Sequence, residues 1–216
     1  MNIKMDLSDL LGLYAKTALS ISGRISSQLV AGFHNIFQVD DDLKYEYFRN
    51  KGVAHAKQRR YRQAENILSQ LRAIRQDDAE IALYLGISQL KLGQQEMGLL
   101  HLKEAYDGLP DNNQIGTILG IAYFQAEDYK NALPLLKEAA KTSPDDFKVH
   151  YQLGVAYDKT KKPLQAIEEF NKALIIEPGN TKVLRMLGYL YEAQDQKPEA
   201  AEVFKRAMEL EEETSI

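Results

Sequence analysis

Five glycines, Gly52, Gly86, Gly120, Gly154 and Gly188, stand at a constant interval of 34 residues. A chain with that register repeats one structural unit instead of building a single irregular core. The neighbours of each glycine recur with it. Lys51, Leu85, Leu119, Leu153 and Leu187 precede it, and His55, Gln89, Tyr123, Tyr157 and Tyr191 follow it by three. Twelve residues beyond each glycine sits a small residue, Ala64, Gly98, Ala132, Ala166 and Ala200. A bulky one comes four later, Leu68, Leu102, Leu136, Phe170 and Phe204, and then Leu71, Ala105, Ala139, Ala173 and Ala207. Small residues permit close helix approach, and the bulky ones fill the space between. Pro110, Pro144 and Pro178 close the middle three units.

This pattern resembles the tetratricopeptide repeat (TPR), a helix-turn-helix unit. The resemblance implies an all-α, right-handed superhelical solenoid with repeats at 45–78, 79–112, 113–146, 147–180 and 181–214. Asp78, Asn112, Asp146 and Asn180 recur one residue before each later first helix and are expected to be its N-caps. Gly93, Glu127 with Asp128, and Lys161 with Lys162 are expected in the turn between the two helices of a unit. Pro163 and Pro198 fall where a second helix should begin, which its first turn tolerates.

Residues 1–44 lack the glycine rung but read as a degenerate helix pair. Leu10, Leu13, Tyr14, Thr17, Ala18 and Ile21 share one helical face, and after Ser22 and Gly23 so do Leu29, Val30, Phe33, Ile36 and Phe37. The run Asp40, Asp41, Asp42 supplies negative charge and capping oxygens at the start of the first full repeat.

With 216 residues in a continuous array, the chain is expected to form one quasi-linear unit. It has no cysteine, which excludes thiolate catalysis and zinc-thiolate sites. A net charge of −4 with interspersed signs argues against a nucleic-acid footprint. Nothing approaches the length of a membrane span. Asp6, Asp9 and Lys16 interrupt the apolar N-terminus, so a retained segment in a cytoplasmic protein is expected. The four histidines, His34, His55, His101 and His150, show no metal-ligand spacing, and no nucleophile or phosphate-loop motif occurs. The expectation is a non-enzymatic chain without cofactor or metal.

Binding is the remaining class. In a solenoid of the kind the chain resembles, the first helix of each repeat lines a concave groove. At the groove-facing positions stand Arg49, Leu83, Ile87, Leu90, Ile121, Phe124, Tyr151 and Val155, rimmed by Lys57, Lys91 and Lys159. An apolar strip flanked by lysines suits an amphipathic helix or an extended peptide with acidic residues. Ile87, Ile121 and Val155 read more readily as core that buttresses the adjacent helix, whereas Leu83, Leu90, Phe124 and Tyr151 are the favoured contacts for a partner. Arg49 is expected either to pair internally with Asp77, Asp78 or Glu80 or to meet a partner's carboxylate, with the internal pair favoured.

Two stretches carry a narrower resemblance: FQVDDDLKYEYFRNKGVAHAKQRRYRQA from Phe37 to Ala64, placed directly after the eroded helix pair, and YDGLPDNNQIGTILGIAYFQAEDYKNALPLL from Tyr106 to Leu136. They are similar to the MamA family, the magnetosome-associated TPR proteins of magnetic bacteria. That resemblance implies a non-enzymatic scaffold, peripheral on the cytoplasmic face of the magnetosome membrane, that forms homo-oligomers and recruits other magnetosome proteins. It further implies head-to-tail assembly, with the N-terminal unit docking in the groove of the next molecule. Carried over by position, the docking face is Leu10, Leu13, Tyr14, Leu29, Phe33, Ile36 and Phe37. Contact between two different surfaces generates open chains or rings. Membrane contact would be indirect, through protein partners. The alternative is a monomeric adaptor whose N-terminal pair caps its own first repeat and whose groove takes a foreign peptide or helix.

Overall fold

The computed structural model describes residues 7–24, 41–110 and 112–213. Among these every regular element is an α-helix. The chain divides into two compact units, Met1–Gly108 and Leu109–Ile216. The units part just after α5 (Gln95–Gly108), the second helix of the second repeat. Repeats contact only their sequence neighbours, so a junction between repeats is where such a division can fall.

In the first unit α1 (Leu7–Arg24) is followed by α2 (Asp41–Lys57), α3 (Tyr61–Ile74), α4 (Ala79–Lys91) and α5 (Gln95–Gly108). Its core holds Leu13, Tyr45, Phe48, Val53, Leu68, Leu71, Ile81 and Leu85. The helix α2 begins at Asp41, inside the segment assigned to the N-terminal pair, with Asp41 and Asp42 in its first turn, where negative charge complements the helix dipole. The second unit comprises α6 (Asn113–Gln125), α7 (Tyr129–Thr142), α8 (Phe147–Lys159), α9 (Pro163–Ile176), α10 (Thr181–Ala193) and α11 (Lys197–Glu213). Its core includes Leu133, Leu136, Leu153, Phe170, Val183 and Leu187.

The 34-residue register is visible in three layers of local chemistry. Asp78, Asn112, Asp146 and Asn180 each accept backbone N–H bonds at the start of α4, α6, α8 and α10. At Gly86 an added Cβ would stand 2.9 Å from both the Gly98 carbonyl oxygen and the Leu102 amide nitrogen. The close approach of α4 and α5 therefore depends on that missing side chain. Between the helices of each repeat one residue is left-handed: Arg59, Gly93, Glu127, Lys161 and Asp195, with φ of 61°, 81°, 58°, 61° and 58°. The amide following each of these donates at 2.9 Å to the carbonyl of His55, Gln89, Tyr123, Tyr157 or Tyr191, and the left-handed residue's own amide donates one turn back. This is the Schellman arrangement that satisfies carbonyls at a helix C-terminus.

Candidate interaction surfaces

The first unit places its expected groove residues in unequal environments. Leu83 is buried, Ile87 and Leu90 are half-buried, and Lys57 and Lys91 are exposed. Leu90 lies over Gly98, so that its Cγ would be 2.7 Å from a Cβ there. It fills the space the small residue leaves. Lys57 Nζ rests over the Tyr84 ring, 5.3 Å from its centroid.

Arg49 is committed within the chain. Its Nε donates to Asp78 Oδ2 at 2.8 Å and its Nη2 lies 2.5 Å from Glu80 Oε2. The Tyr45 hydroxyl donates to the same Asp78 oxygen at 3.2 Å, and the Arg75 guanidinium stands 4.2 Å from the Tyr45 ring centroid. Burial, reinforced by the neighbouring carboxylate, pushes the Tyr45 phenol up to about 12. For Asp78 burial alone would raise the carboxyl, but the Ile81 amide, the Arg49 guanidinium and the Tyr45 hydroxyl outweigh it and hold it below its ordinary value.

In the second unit Ile121, Phe124 and Tyr151 are half-buried, Val155 is buried and Lys159 is exposed. Phe124 meets Tyr129 edge-on at 5.7 Å. Tyr151 stacks on Phe147 at 6.0 Å, contacts Phe170 and lies beneath Lys182 at 5.0 Å. The apolar strip is thus partly consumed by packing within its own unit.

Of the residues expected to form the N-terminal docking face, Leu13 is buried in the core of the first unit, and its carbonyl accepts from Thr17. The Asp9 carboxylate pairs with Lys51 of α2. Tyr14 is 52 % exposed and Leu11, which sequence reasoning passed over, is 64 % exposed. Leu10 lies on α1, and its side chain falls outside the described set, as do Leu29, Phe33, Ile36 and Phe37.

Sequence reasoning also missed the second helices of the repeats. Met97, Leu100, Leu164, Ile175 and Met208 are exposed large apolar residues on α5, α9 and α11. The available signal was a break in pattern: Ile175 occupies the column otherwise held by Ala73, Asp107, Lys141 and Glu209. No cluster of three potential metal ligands, and no helix long and apolar enough to cross a membrane, occurs among the described residues.

Family models of the tetratricopeptide repeat match residues 49–113 and 119–181, and a further one matches residues 183–215. The solved structure of MamA MSR-1 superposes with a TM-score of 0.73 at 38% identity, covering 80% of this chain and 99% of that one. The chain is a MamA-like member of the tetratricopeptide repeat family. MamA 41-end from Desulfovibrio magneticus RS-1 superposes with a TM-score of 0.67 at 25% identity, covering 78% of this chain and 96% of that one. The curated magnetosome proteins MamA of Paramagnetospirillum magnetotacticum and Magnetospirillum gryphiswaldense are 38% and 36% identical over 81 residues. Those alignments cover 38% of this chain and 37% of each relative, so the match spans little over a third of the curated relatives' length. The TPR solenoid is a protein-interaction fold, and membership agrees with a surface that recognises protein and does no chemistry.

Proposed function

We propose that this MamA-like chain is a non-enzymatic scaffold that assembles head to tail with copies of itself, coats the cytoplasmic face of the magnetosome membrane and recruits other magnetosome proteins. The observation that carries the reading is the division of labour on α1. Leu13 anchors the helix to its own chain, whereas Leu11 and Tyr14 leave an apolar surface uncovered beside it. The receiving surface is formed by the half-buried Ile87 and Leu90 of the first unit or Ile121, Phe124 and Tyr151 of the second. Light scattering tests this directly. The full chain should exceed monomer mass, and both a version lacking residues 1–41 and the double variant Leu11→Glu, Tyr14→Glu should return to it. Identical masses for all three would sink self-assembly. A salt or alkaline wash that releases the protein from magnetosome vesicles supports peripheral attachment, and its absence from the vesicles would undo the localisation.

The Leu13 anchor and the Asp9–Lys51 ion pair favour a second reading, in which α1 caps its own first repeat and the chain is a monomeric adaptor. There Phe124→Glu abolishes capture of a partner peptide while the mass stays that of a monomer throughout.

A further inference from the structure

From Lys51 to Arg75 the chain holds seven lysines and arginines and a single carboxylate, Glu65. Three of the seven are neutralised from other helices. Lys51 pairs with Asp9 of α1, Arg72 with Glu104 of α5 at 2.6 Å, and Arg75 with Asp42 of α2. The other four, Lys57, Arg59, Arg60 and Arg62, fall within six residues at the α2–α3 turn and are all exposed. Among the described residues they form no ion pair, and Glu65 pairs with none of them. Lys57 meets the Tyr84 ring, which leaves its charge intact. The equivalent turn one repeat on, Lys91 to Glu96, carries one charge of each sign. The α8–α9 turn comes nearest, with Lys159, Lys161 and Lys162 beside Asp158.

This arrangement works against the helix it precedes. A helix N-terminus favours negative charge, yet α3 has Arg60 as N-cap, without a side-chain cap bond, and no acid in its first turn. The positive field reaches inward: burial first, then Lys51 and Arg60, hold His55 below its ordinary value against the opposing Asp9. One turn is thus left with uncompensated positive potential while the cations on either side of it are paired.

The chemistry of the turn selects its partner. Residues 57–63 include no aliphatic side chain, and their one aromatic, Tyr61, is half-buried. A peptide held by an apolar anchor has nothing to insert against. Duplex nucleic acid is tracked by a longer run of cations than one turn offers, and the chain as a whole stands at −4. A fluid layer of phosphate headgroups needs neither pocket nor register, and guanidinium groups bind phosphate bidentately.

We propose that the α2–α3 turn docks directly on the headgroups of anionic lipids. The contact rests on the reading of the chain as a membrane coat, and it adds a direct attachment to the indirect one expected through protein partners. A single turn holds weakly. Head-to-tail assembly presents it repeatedly, and several weak contacts made together hold far longer than one.

The test is sedimentation of the full chain with phosphatidylcholine vesicles, with and without phosphatidylglycerol. Binding should require phosphatidylglycerol and fade with added salt. Each cation near such a surface contributes about fivefold in partitioning, so Arg59→Gln, Arg60→Gln, Arg62→Gln should lose about a hundredfold. The corresponding triple lysine variant should keep most of the binding. All three positions are exposed, so melting temperatures should hold. Equal binding to uncharged vesicles, or no loss in the glutamine variant, would overturn the proposal. So would tighter binding to a DNA duplex than to the charged vesicles. A fall in light-scattering mass in the glutamine variant would assign the turn to contact between copies, and overturn it too. The Leu11→Glu, Tyr14→Glu chain separates this contact from self-assembly, since it should still sediment with the charged vesicles, only more weakly. A wild type that assembles but ignores the vesicles sinks the lipid contact and leaves the scaffold standing. A wild type that is monomeric yet binds them keeps the lipid contact and sinks self-assembly.

Discussion

Arg49 on α2 donates to Asp78 at 2.8 Å, and the same Asp78 carboxylate caps α4 by accepting from the Glu80 and Ile81 amides. One side chain thus ties the first repeat to the start of the second. Asp146 caps α8 through the Lys148 and Val149 amides alone. Replacing Asp146 by Ala should cost about 1 kcal/mol, the usual loss of an N-cap. Replacing Asp78 by Ala should cost roughly 2–3 kcal/mol, because a half-buried guanidinium and the buried Tyr45 also lose their acceptor. Urea unfolding of the two variants checks the ranking, and equal losses would show that the ion pair adds nothing.

Tyr45 gives an alkaline signature. Its phenol is held at about 12 in the folded chain against 10.0 ordinarily. The folded state therefore keeps a proton that the unfolded state releases. The stabilisation is complete below 10 and disappears as the pH rises through 12. Ultraviolet titration should resolve one tyrosine ionising late, and Tyr45→Phe should remove that step without changing the rest of the curve.

The histidines act at the opposite end. Burial lowers His101, whose Nδ1 contacts Gln89 at 2.7 Å, and burial together with Lys51 and Arg60 lowers His55. Unfolded histidine takes its proton near 6.5, so the unfolded chain binds protons first as the pH drops. Stability contributed by these neutral rings is full above 6.5 and declines below it. The urea midpoint should fall over that range, and more shallowly in a variant carrying His55→Gln and His101→Gln.

Gly86→Ala should be among the most damaging single-methyl additions available. The new Cβ meets backbone atoms of α5 at 2.9 Å, and helix backbones cannot swing aside as a side chain can. Overpacking of this kind costs about 1–3 kcal/mol. Gly179→Ala, with nothing within 4 Å of its Cβ, should leave the melting temperature within experimental scatter. Thermal melts by circular dichroism separate the two.

The repeat skeleton was legible because Gly86 and the cap Asp78 are residue types whose backbone roles are nearly obligatory at such positions. Arg49 was legible for a related reason: a guanidinium next to packed helices must find an acceptor, and Asp78 and Glu80 lay within reach. The surfaces were harder to read. Leu90 and Phe124 looked like free groove residues, yet Leu90 packs over Gly98 and Phe124 meets Tyr129 edge-on. Which side of a side chain remains open is decided by tertiary packing.

Four of the five turn positions that require a left-handed backbone carry a side chain; only Gly93 is glycine. Each of the others forfeits on the order of 1 kcal/mol that glycine would not, less what glycine's own chain entropy takes back. The protein therefore sits below the thermal tolerance its architecture permits, and the reserve is distributed in small, separable amounts. Arg59, Glu127, Lys161 and Asp195 are all exposed turn residues outside the expected groove positions. Heat resistance in this chain can be adjusted in steps while those groove positions keep their side chains.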